Sequence, residues 1–349
     1  MIQKLVAQLR VANSKAAAGG LPLWRQILEM AYLFARNGLG PGYYLMARFW
    51  RRDLPMSTKR QHWNGRRYLR FVHKINDPRY YKVSQNKLVE KSLLATLGLP
   101  TSKLLGLFHP KAGQGVDGEP LCNATDLERV LAMSTADGLF FKPAEGDSGR
   151  GVFGLAIVTE AGRRVLREVL TREEVALAVL AQRLAAAPEG YVIEEMIEQH
   201  SLLSSLNPTS VNTLRIWVVD DNSGVHVAGA FLRVGRAGSL VDNTAAGGLA
   251  CAIDLDSGVI REALDLTLSR NQYPIHPDSG AKVVGLKIPH WPACKQLACD
   301  ALRVLPGARF SGMDIAVTAR GPVIIEYNVE PSYQGAAHVD LPHGIAFRC

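Results

Sequence analysis

The segment Gly312–Pro331, GMDIAVTARGPVIIEYNVEP, limits the fold more than any other stretch of the chain. Two apolar runs rich in β-branched residues, Met313–Thr318 and Val323–Tyr327, flank the turn signal Ala319-Arg320-Gly321, so the segment predicts a β-hairpin. With those three residues as the loop and Gly321 in the left-handed conformation, Thr318 pairs with Pro322 and Asp314 falls opposite Glu326. Alternation of side chains puts Asn328 on the same face as Glu326. Two carboxylates and an amide oxygen then converge among Ile, Val and Ala, where unpaired carboxylates need a cation. Oxygen ligands of this kind suit Mg²⁺, above all Mg²⁺ that bridges to phosphates. A slip of one residue in register would dismantle the set.

The 349 residues suffice for more than one domain, and 47% hydrophobic with 21% charged residues describes an ordinary globular protein. No apolar run reaches the ~18 residues of a spanning helix. Lys4 and Arg10 interrupt the apolar residues at the N-terminus, which makes a poor signal peptide. Five cysteines (Cys122, Cys251, Cys294, Cys299, Cys349) are scattered without a CxxC spacing. That pattern fits reduced thiols and a cytoplasmic protein better than a disulfide framework or a zinc site. Charge is unevenly spread. Residues 1–74 hold fourteen Lys and Arg against two acids, Glu29 and Asp53, a net of +12; with +8 overall, the rest of the chain carries −4. The basic balance therefore belongs to the N-terminal fifth and calls for an anionic partner there.

Residues 1–74 read as a basic helical region. A helix covers residues 1–17, and a second, Leu23 to Arg36, repeats Trp24, Ile27, Leu28, Ala31 and Phe34 at helical spacing. Aromatic and basic residues interleave in Tyr43–Arg52 and Gln61–Lys74. From about residue 75 the pattern changes. Helices are predicted at Asn86–Leu97, Asp126–Met133, Arg163–Leu170, Arg172–Ala187 and Trp291–Leu305. Strands are predicted at Lys103–Phe108, Gly138–Lys142, Val152–Thr159, Tyr191–Glu195, Asn212–Val219, Val225–Val234 and Cys251–Asp254, besides the hairpin. Strands outnumber βαβ units, which argues α+β with antiparallel sheets rather than a doubly wound parallel sheet.

Three further segments carry chemistry. In Phe140–Leu155, FFKPAEGDSGRGVFGL, a strand delivers Lys142 into a glycine-rich loop. Gly146, Gly149 and Gly151 allow close approach of backbone N–H groups to an anion, with Ser148 and Arg150 beside them. The loop is neither a Walker A motif nor a GxGxxG opening a helix; it suits a flap over a triphosphate, or a plain hairpin. In Tyr191–His200, YVIEEMIEQH, an apolar strand ends in Glu194-Glu195, which suits either a nucleoside or a solvated strand end. In Ser210–Val219, Arg215 sits within an apolar strand and needs an anion, whether ligand or structural carboxylate.

In this order and spacing the segments resemble the ATP-grasp superfamily, and within it the sugar-transfer-associated group. The residues that carry the resemblance are Lys87 in SQNKLVEK, Lys142 and its glycine loop, Glu194-Glu195, Asn212 and Arg215 in NTLRI, VDNTAAGG at 241–248, and Asp314, Glu326 and Asn328. The likeness covers roughly residues 75–345. It implies an ATP-grasp fold, two α+β subdomains clasping ATP, preceded by the basic helical region: 1–74, then 75–190 with the phosphate loop, then 191–349 with the adenine hinge and metal hairpin. By resemblance, Lys87, Lys142 and Gly146–Gly151, including Ser148, Gly149 and Arg150, contact the phosphates. Glu195, Met196 and Ile197 hold adenine, and one of Glu194, Glu195 and Glu198 the ribose. Asp314, Glu326 and Asn328 hold Mg²⁺. Arg215, Lys142 and Asn328 are the catalytic candidates; Asn212, Arg215, Asp242 and Asn243 face the acceptor. This chain has Asn86-Lys87 where the family often has Asp-Lys.

The implied activity is ADP-forming ligation: a carboxylate is activated as an acyl phosphate by ATP and joined to an amine, in glycan or natural-product assembly. A phosphotransferase acting on a hydroxyl, and a nucleotide-binding scaffold without turnover, are the alternatives. No GxSxG elbow or HExxH helix supports hydrolysis through a protein nucleophile or zinc. His276, Tyr333, Gln334 and His338 flank the hairpin as further acceptor candidates. For residues 1–74 three readings stand: a cap on the core, a surface for an anionic membrane with Trp24, Trp50, Tyr43 and Tyr44 at the interface, or an RNA-binding region. The expected partners are thus a small carboxylate and amine, an anionic membrane or RNA, and a second copy in a homodimer; the expected location is cytoplasmic, peripheral on the inner membrane face.

Overall fold

The structure, a computed structural model, describes residues 2–146, 149–240, 242, 247–305 and 307–347. The chain opens with helices α1 (Ile2–Ala17), α2 (Leu23–Asn37), α3 (Pro41–Met46), α4 (Met56–Lys59) and α5 (Gly65–Ile75). Gly38, in the left-handed conformation, ends α2, and the Asn64 side chain caps α5 by accepting from Arg67 N at 2.9 Å. Then come α6 (Tyr81–Gln85), α7 (Lys87–Thr96), β1 (Leu104–Phe108), β2 (Gln114–Gly115), α8 (Ala124–Met133), β3 (Gly138–Pro143), β4 (Phe153–Glu160), β5 (Arg163–Glu168), α9 (Leu177–Ala185) and β6 (Tyr191–Glu195). The second half holds α10 (Ser201–Ser204), β7 (Leu214–Asp221), β8 (Gly224–Val234), β9 (Leu249–Ile253), β10 (Ile260–Leu264), α11 (Trp291–Arg303), β11 (Phe310–Thr318), β12 (Gly321–Asn328), α12 (Gly335–His338) and α13 (His343–Ala346).

Two antiparallel six-stranded sheets result, ordered β2-β1-β6-β3-β4-β5 and β10-β9-β8-β7-β11-β12. The fold is α+β with antiparallel sheets, as the strand-rich pattern implied. One expectation fails: Arg163–Glu168 is strand β5, not helix, and the predicted Arg172–Ala187 helix shortens to α9. The cause is the turn before it. Ala161 and Gly162 both take positive φ, 48° and 79°, and this two-residue turn pairs Glu160 with Arg163 and folds β5 back on β4.

The second sheet has two unlike faces. Leu214, Ile216 and Val218 of β7 join Met313, Ile315 and Val317 of β11 in the main core, covered by Leu297, Ala298, Ala301 and Leu302 of α11. On the opposite face Trp217, Val219 and Phe310 pack with Trp63, Tyr68 and Val72 from the N-terminal helices and with Phe347. A further cluster joins Ala12, Met30, Leu33, Tyr44 and Phe49 to Ala337. The N-terminal helices are therefore built onto the second sheet. Tyr43 and Tyr44, expected at an interface, are buried in that cluster, and Trp50 packs against it. Among the described residues no helix is long and apolar enough to cross a membrane.

Candidate active site

Strand register places the central row of charges. Arg215 on β7 lies opposite Asp314 on β11, and Asp314 opposite Glu326 on β12. All three share the face that Trp217 and Val219 occupy further along β7, and the region left open there lines a cleft of about 2140 Å³. Gly312 makes room for the row: a Cβ there would meet Pro331 Cβ at 2.7 Å and Arg215 Cδ at 3.2 Å.

The pairing of Asp314 with Glu326 is as expected, but the hairpin reaches it differently. The loop is two residues long, so Thr318 pairs with Gly321 and Val317 with Pro322, one residue away from the expected register. Ile325 then bulges between the pairs Ile315–Ile324 and Asp314–Glu326 and restores it. The bulge is anchored from α7. The buried Lys91 ammonium donates to Ile325 O at 2.7 Å, Ile324 O at 3.1 Å and Thr101 Oγ1 at 2.9 Å.

Asp314 is not an unpaired carboxylate. Arg215 grips it in a fork through Nε and Nη2, and Arg233 Nη2 from β8 donates to Oδ2 at 2.7 Å. Burial pushes the Asp314 carboxyl up, but the two guanidinium groups outweigh it and hold the group below the usual carboxylate range. The sequence alternatives for Arg215 thus coincide: it makes a structural ion pair and lines the cleft. Arg233 also faces Asp242 at 3.4 Å, and Asp242 accepts from Thr213 N at 2.8 Å and from the Thr213 hydroxyl. Burial raises the Asp242 carboxyl despite Arg233. Arg233 went unremarked in the sequence, although it carries the same signal as Arg215, an arginine inside an apolar strand.

The first sheet supplies the opposite wall. Lys142 of β3 is buried and donates to Glu194 Oε2 at 2.8 Å, and Ser102 also donates to that oxygen. Burial works to raise Glu194, but Lys142 and Lys91 keep it ionised and low. Glu194 is thereby committed to the lysine. Glu195 accepts from Lys103 Nζ at 2.9 Å and Thr135 N at 2.8 Å. Of the three acids considered for a ribose, Glu198 is exposed on the cleft and carries no side-chain hydrogen bond to the described residues. Met196 and Ile197 line the cleft, and Met196 N bonds Gly138 O at 2.9 Å. Lys87, Gly146, Gly149 and Arg150 also line it, Lys87 Nζ reaching Gly146 O at 3.0 Å. Gly151 stands behind the loop, its carbonyl accepting from Tyr191. Ser148 and Asn243 lie outside the described residues.

Asn212 does not face the cleft. It is fully buried, donating to Leu203 O at 2.9 Å and accepting from Gly235 N at 3.2 Å, so its expected acceptor contact gives way to a structural one. His276 and Tyr333 are likewise tied elsewhere, His276 to Gly235 O and Tyr333 stacked on Tyr43, and neither they nor Gln334 and His338 line the cleft.

The donor set fits a nucleotide with a divalent cation. The Glu326 carboxylate makes no hydrogen bond to the described residues, and two buried atoms there lack a partner, the acceptor Glu194 Oε1 and the donor Asn328 Nδ2. Among the described residues no three His, Cys, Asp or Glu gather as a metal cluster, and here an amide completes a pair of carboxylates. Glu326, Asn328 and the free lone pair of Asp314 would hold Mg²⁺. Lys87, Lys142, Arg215 and Arg233 set four cationic side chains on the same cleft.

A fold of two antiparallel sheets that close on a cleft of this charge pattern is that of the ATP-grasp proteins. The family model described as sugar-transfer associated ATP-grasp matches residues 66–344, and the chain belongs to that family. No curated protein matches. Solved structures similar to this chain include the ATP-grasp ligase PsnB complexed with precursor peptide PsnA2 and AMPPNP, at 17% identity over 79% of this chain and 62% of that one, TM-score 0.40. An L-amino acid ligase from Bacillus licheniformis is similar at 15% identity over 74% and 43%, TM-score 0.41. The D-alanine-D-alanine ligase from Coxiella burnetii is similar at 12% over 72% and 49%, TM-score 0.40. This chain spans less than two thirds of the length of each.

Proposed function

We propose that the protein is an ATP-dependent ligase that joins a carboxylate to an amine. The observation that carries this reading is the convergence, in one cleft, of Lys142 from the first sheet with Arg215, Arg233, Asp314, Glu326 and Asn328 from the second. A substrate carboxylate oxygen attacks the γ-phosphorus of ATP, and ADP leaves with the bonding pair. The amine then attacks the acyl carbon, inorganic phosphate departs, and the nitrogen loses a proton. Phosphoryl transfer needs positioning and charge neutralisation rather than a protein nucleophile. Arg215 and Arg233 are preorganised for that by Asp314, and Lys142 by Glu194. Mg²⁺ would neutralise the negative charge on the phosphate oxygens. Glu198 is the acid left to meet a ribose.

The test is incubation of the protein with ATP, Mg²⁺ and pools of amines and carboxylates, uronic acids among them, followed by mass spectrometry. ADP, phosphate and an amide product support ligation. A stable phosphorylated product makes the protein a phosphotransferase instead, and nucleotide binding without turnover makes it a scaffold.

A further inference from the structure

Helix α2 is turned inside out. Its inward side carries Gln26, Glu29, Met30 and Leu33. Gln26 Nε2 donates to Leu21 O at 2.7 Å and Ala12 O at 3.0 Å, and Glu29 Oε2 accepts from Lys59 Nζ at 2.7 Å and Tyr44 OH at 2.9 Å. The helix is thus held by a buried polar network, and the periodic apolar stripe read from the sequence faces solvent. Trp24 is 64% exposed, Leu28 61%, Phe34 63% and Ile27 43%. At about 100° per residue these side chains, with Ala31 and Ala35, share one side of the helix over three turns. Ile2, Leu5 and Val6 are exposed on α1 as well. Soluble proteins seldom leave such a continuous apolar stripe to water unless something binds it.

We propose that the outer face of α2 docks on an anionic membrane surface. Charge complementarity selects this occupant. Residues 1–74 carry a net +12. Arg48, Arg51 and Lys59 spend their charge on ion pairs inside the protein, and Arg25 shares its own with Glu29 at 3.3 Å, whereas Lys4, Arg10 and Arg36 on α1 and α2 are exposed. A second copy seated on this face would bring two such regions together against their repulsion. An RNA would satisfy the cations but leave Trp24, Leu28 and Phe34 against phosphates. A bilayer interface meets both demands: acyl chains take the apolar stripe, a Trp sits at headgroup depth, and guanidinium groups meet lipid phosphates. This docking is independent of the reaction in the cleft.

Full-length protein is to be co-sedimented with phosphatidylcholine vesicles and with mixed phosphatidylcholine–phosphatidylglycerol vesicles, at low and high salt. We expect binding to the anionic vesicles that weakens with salt and little binding to the neutral ones. Trp24→Glu with Leu28→Glu should lower partitioning about tenfold or more, with unchanged thermal unfolding because both side chains are exposed. In the unaltered protein a nitroxide-labelled lipid should quench tryptophan emission, and Trp24→Phe should remove most of that quenching. Equal vesicle binding by the double variant overturns the proposal. So does a dimer in sedimentation velocity that the double variant dissolves, or binding to RNA without binding to vesicles.

Discussion

Lys91→Met is a direct probe of how the hairpin finds its register. The Lys91 ammonium, 1% exposed, holds both carbonyls at the bulge. Methionine keeps the length and apolar stem of lysine but offers no donor. Ile324 O would retain Thr101 Oγ1 at 3.0 Å, whereas Ile325 O would lose the side-chain donor that reaches it at 2.7 Å. One buried acceptor left unmet costs about 1–3 kcal/mol. Loss of a cation beside the ionised Glu194 adds to this, so the unfolding free energy should fall by about 2–4 kcal/mol. A relaxed bulge also moves Glu326 out of line with Asp314. Turnover per folded molecule should therefore drop by about tenfold or more, with ATP affinity less affected, since a small misplacement costs about that much in rate. Urea unfolding reads the first quantity, and steady-state kinetics under conditions where the variant is fully folded reads the second. Unchanged turnover in a destabilised variant would refute the link between Lys91 and the register of the site, and unchanged stability would refute the energetic role of its hydrogen bonds.

Glu326→Gln should abolish ATP turnover while leaving urea unfolding within about 1 kcal/mol, because no protein group among those described bonds the carboxylate; turnover that persists would remove Glu326 from the metal set. Acid should loosen the N-terminal helices. Burial pushes the imidazoles of His62 and His338 down to about 3 and of His343 to about 4, from an ordinary 6.5, so all three are neutral in the fold. Their contribution is complete above pH 6.5. As pH falls below that value the unfolded chain takes up protons that the folded chain refuses, and stability should decline by up to ~1.4 kcal/mol per pH unit for each histidine until the folded values are reached. Urea midpoints from pH 7 to pH 5 measure this, and His343→Gln should flatten the slope; a profile that is level over that range would exclude the three histidines as its source.

The sequence made the row Asp314–Glu326 legible for a reason that was only half physical. The turn was read one residue too long, the bulge at Ile325 was not foreseen, and the two offsets cancel. A bulge held by a lysine more than two hundred residues away leaves no local mark. Lys142 and Arg215 were legible because a cation inside an apolar strand is costly without a partner. Their partners, Glu194 and Asp314, were named for nucleotide and metal roles instead, since alternation fixes a face but not which charges meet across it. The periodicity of α2 was plain, yet periodicity does not say which side is inward. That was decided by Glu29 finding Lys59 and Tyr44, contacts set by the tertiary fold. Asn212 shows the opposite limit: a polar residue beside site residues in the chain was drawn into a loop network that its position alone does not reveal.

The N-terminal helices and the cleft share one face of the second sheet, and this makes the two interdependent. Asn76, directly after α5, donates to Val329 O at 2.6 Å and Phe310 O at 2.8 Å and accepts from Arg309 N at 2.8 Å and Phe310 N at 3.0 Å. The Tyr68 hydroxyl donates to Pro331 O, and His73 meets Glu330 at 2.7 Å. Residues 329–331 continue directly from Asn328, so the end of β12 is tied to the helical region by its own backbone. Asn76→Ala leaves two carbonyls and two N–H groups at a buried edge without that side chain. It should cost about 2–4 kcal/mol and slow turnover by loosening Asn328. Removal of residues 1–74 should do more, because it uncovers Trp217, Val219 and Phe310 to water, and the remainder should aggregate rather than fold. A soluble, cooperatively unfolding 75–349 fragment with full turnover would show that the helices are an appendage, and the face they share with the site would then be a matter of packing alone.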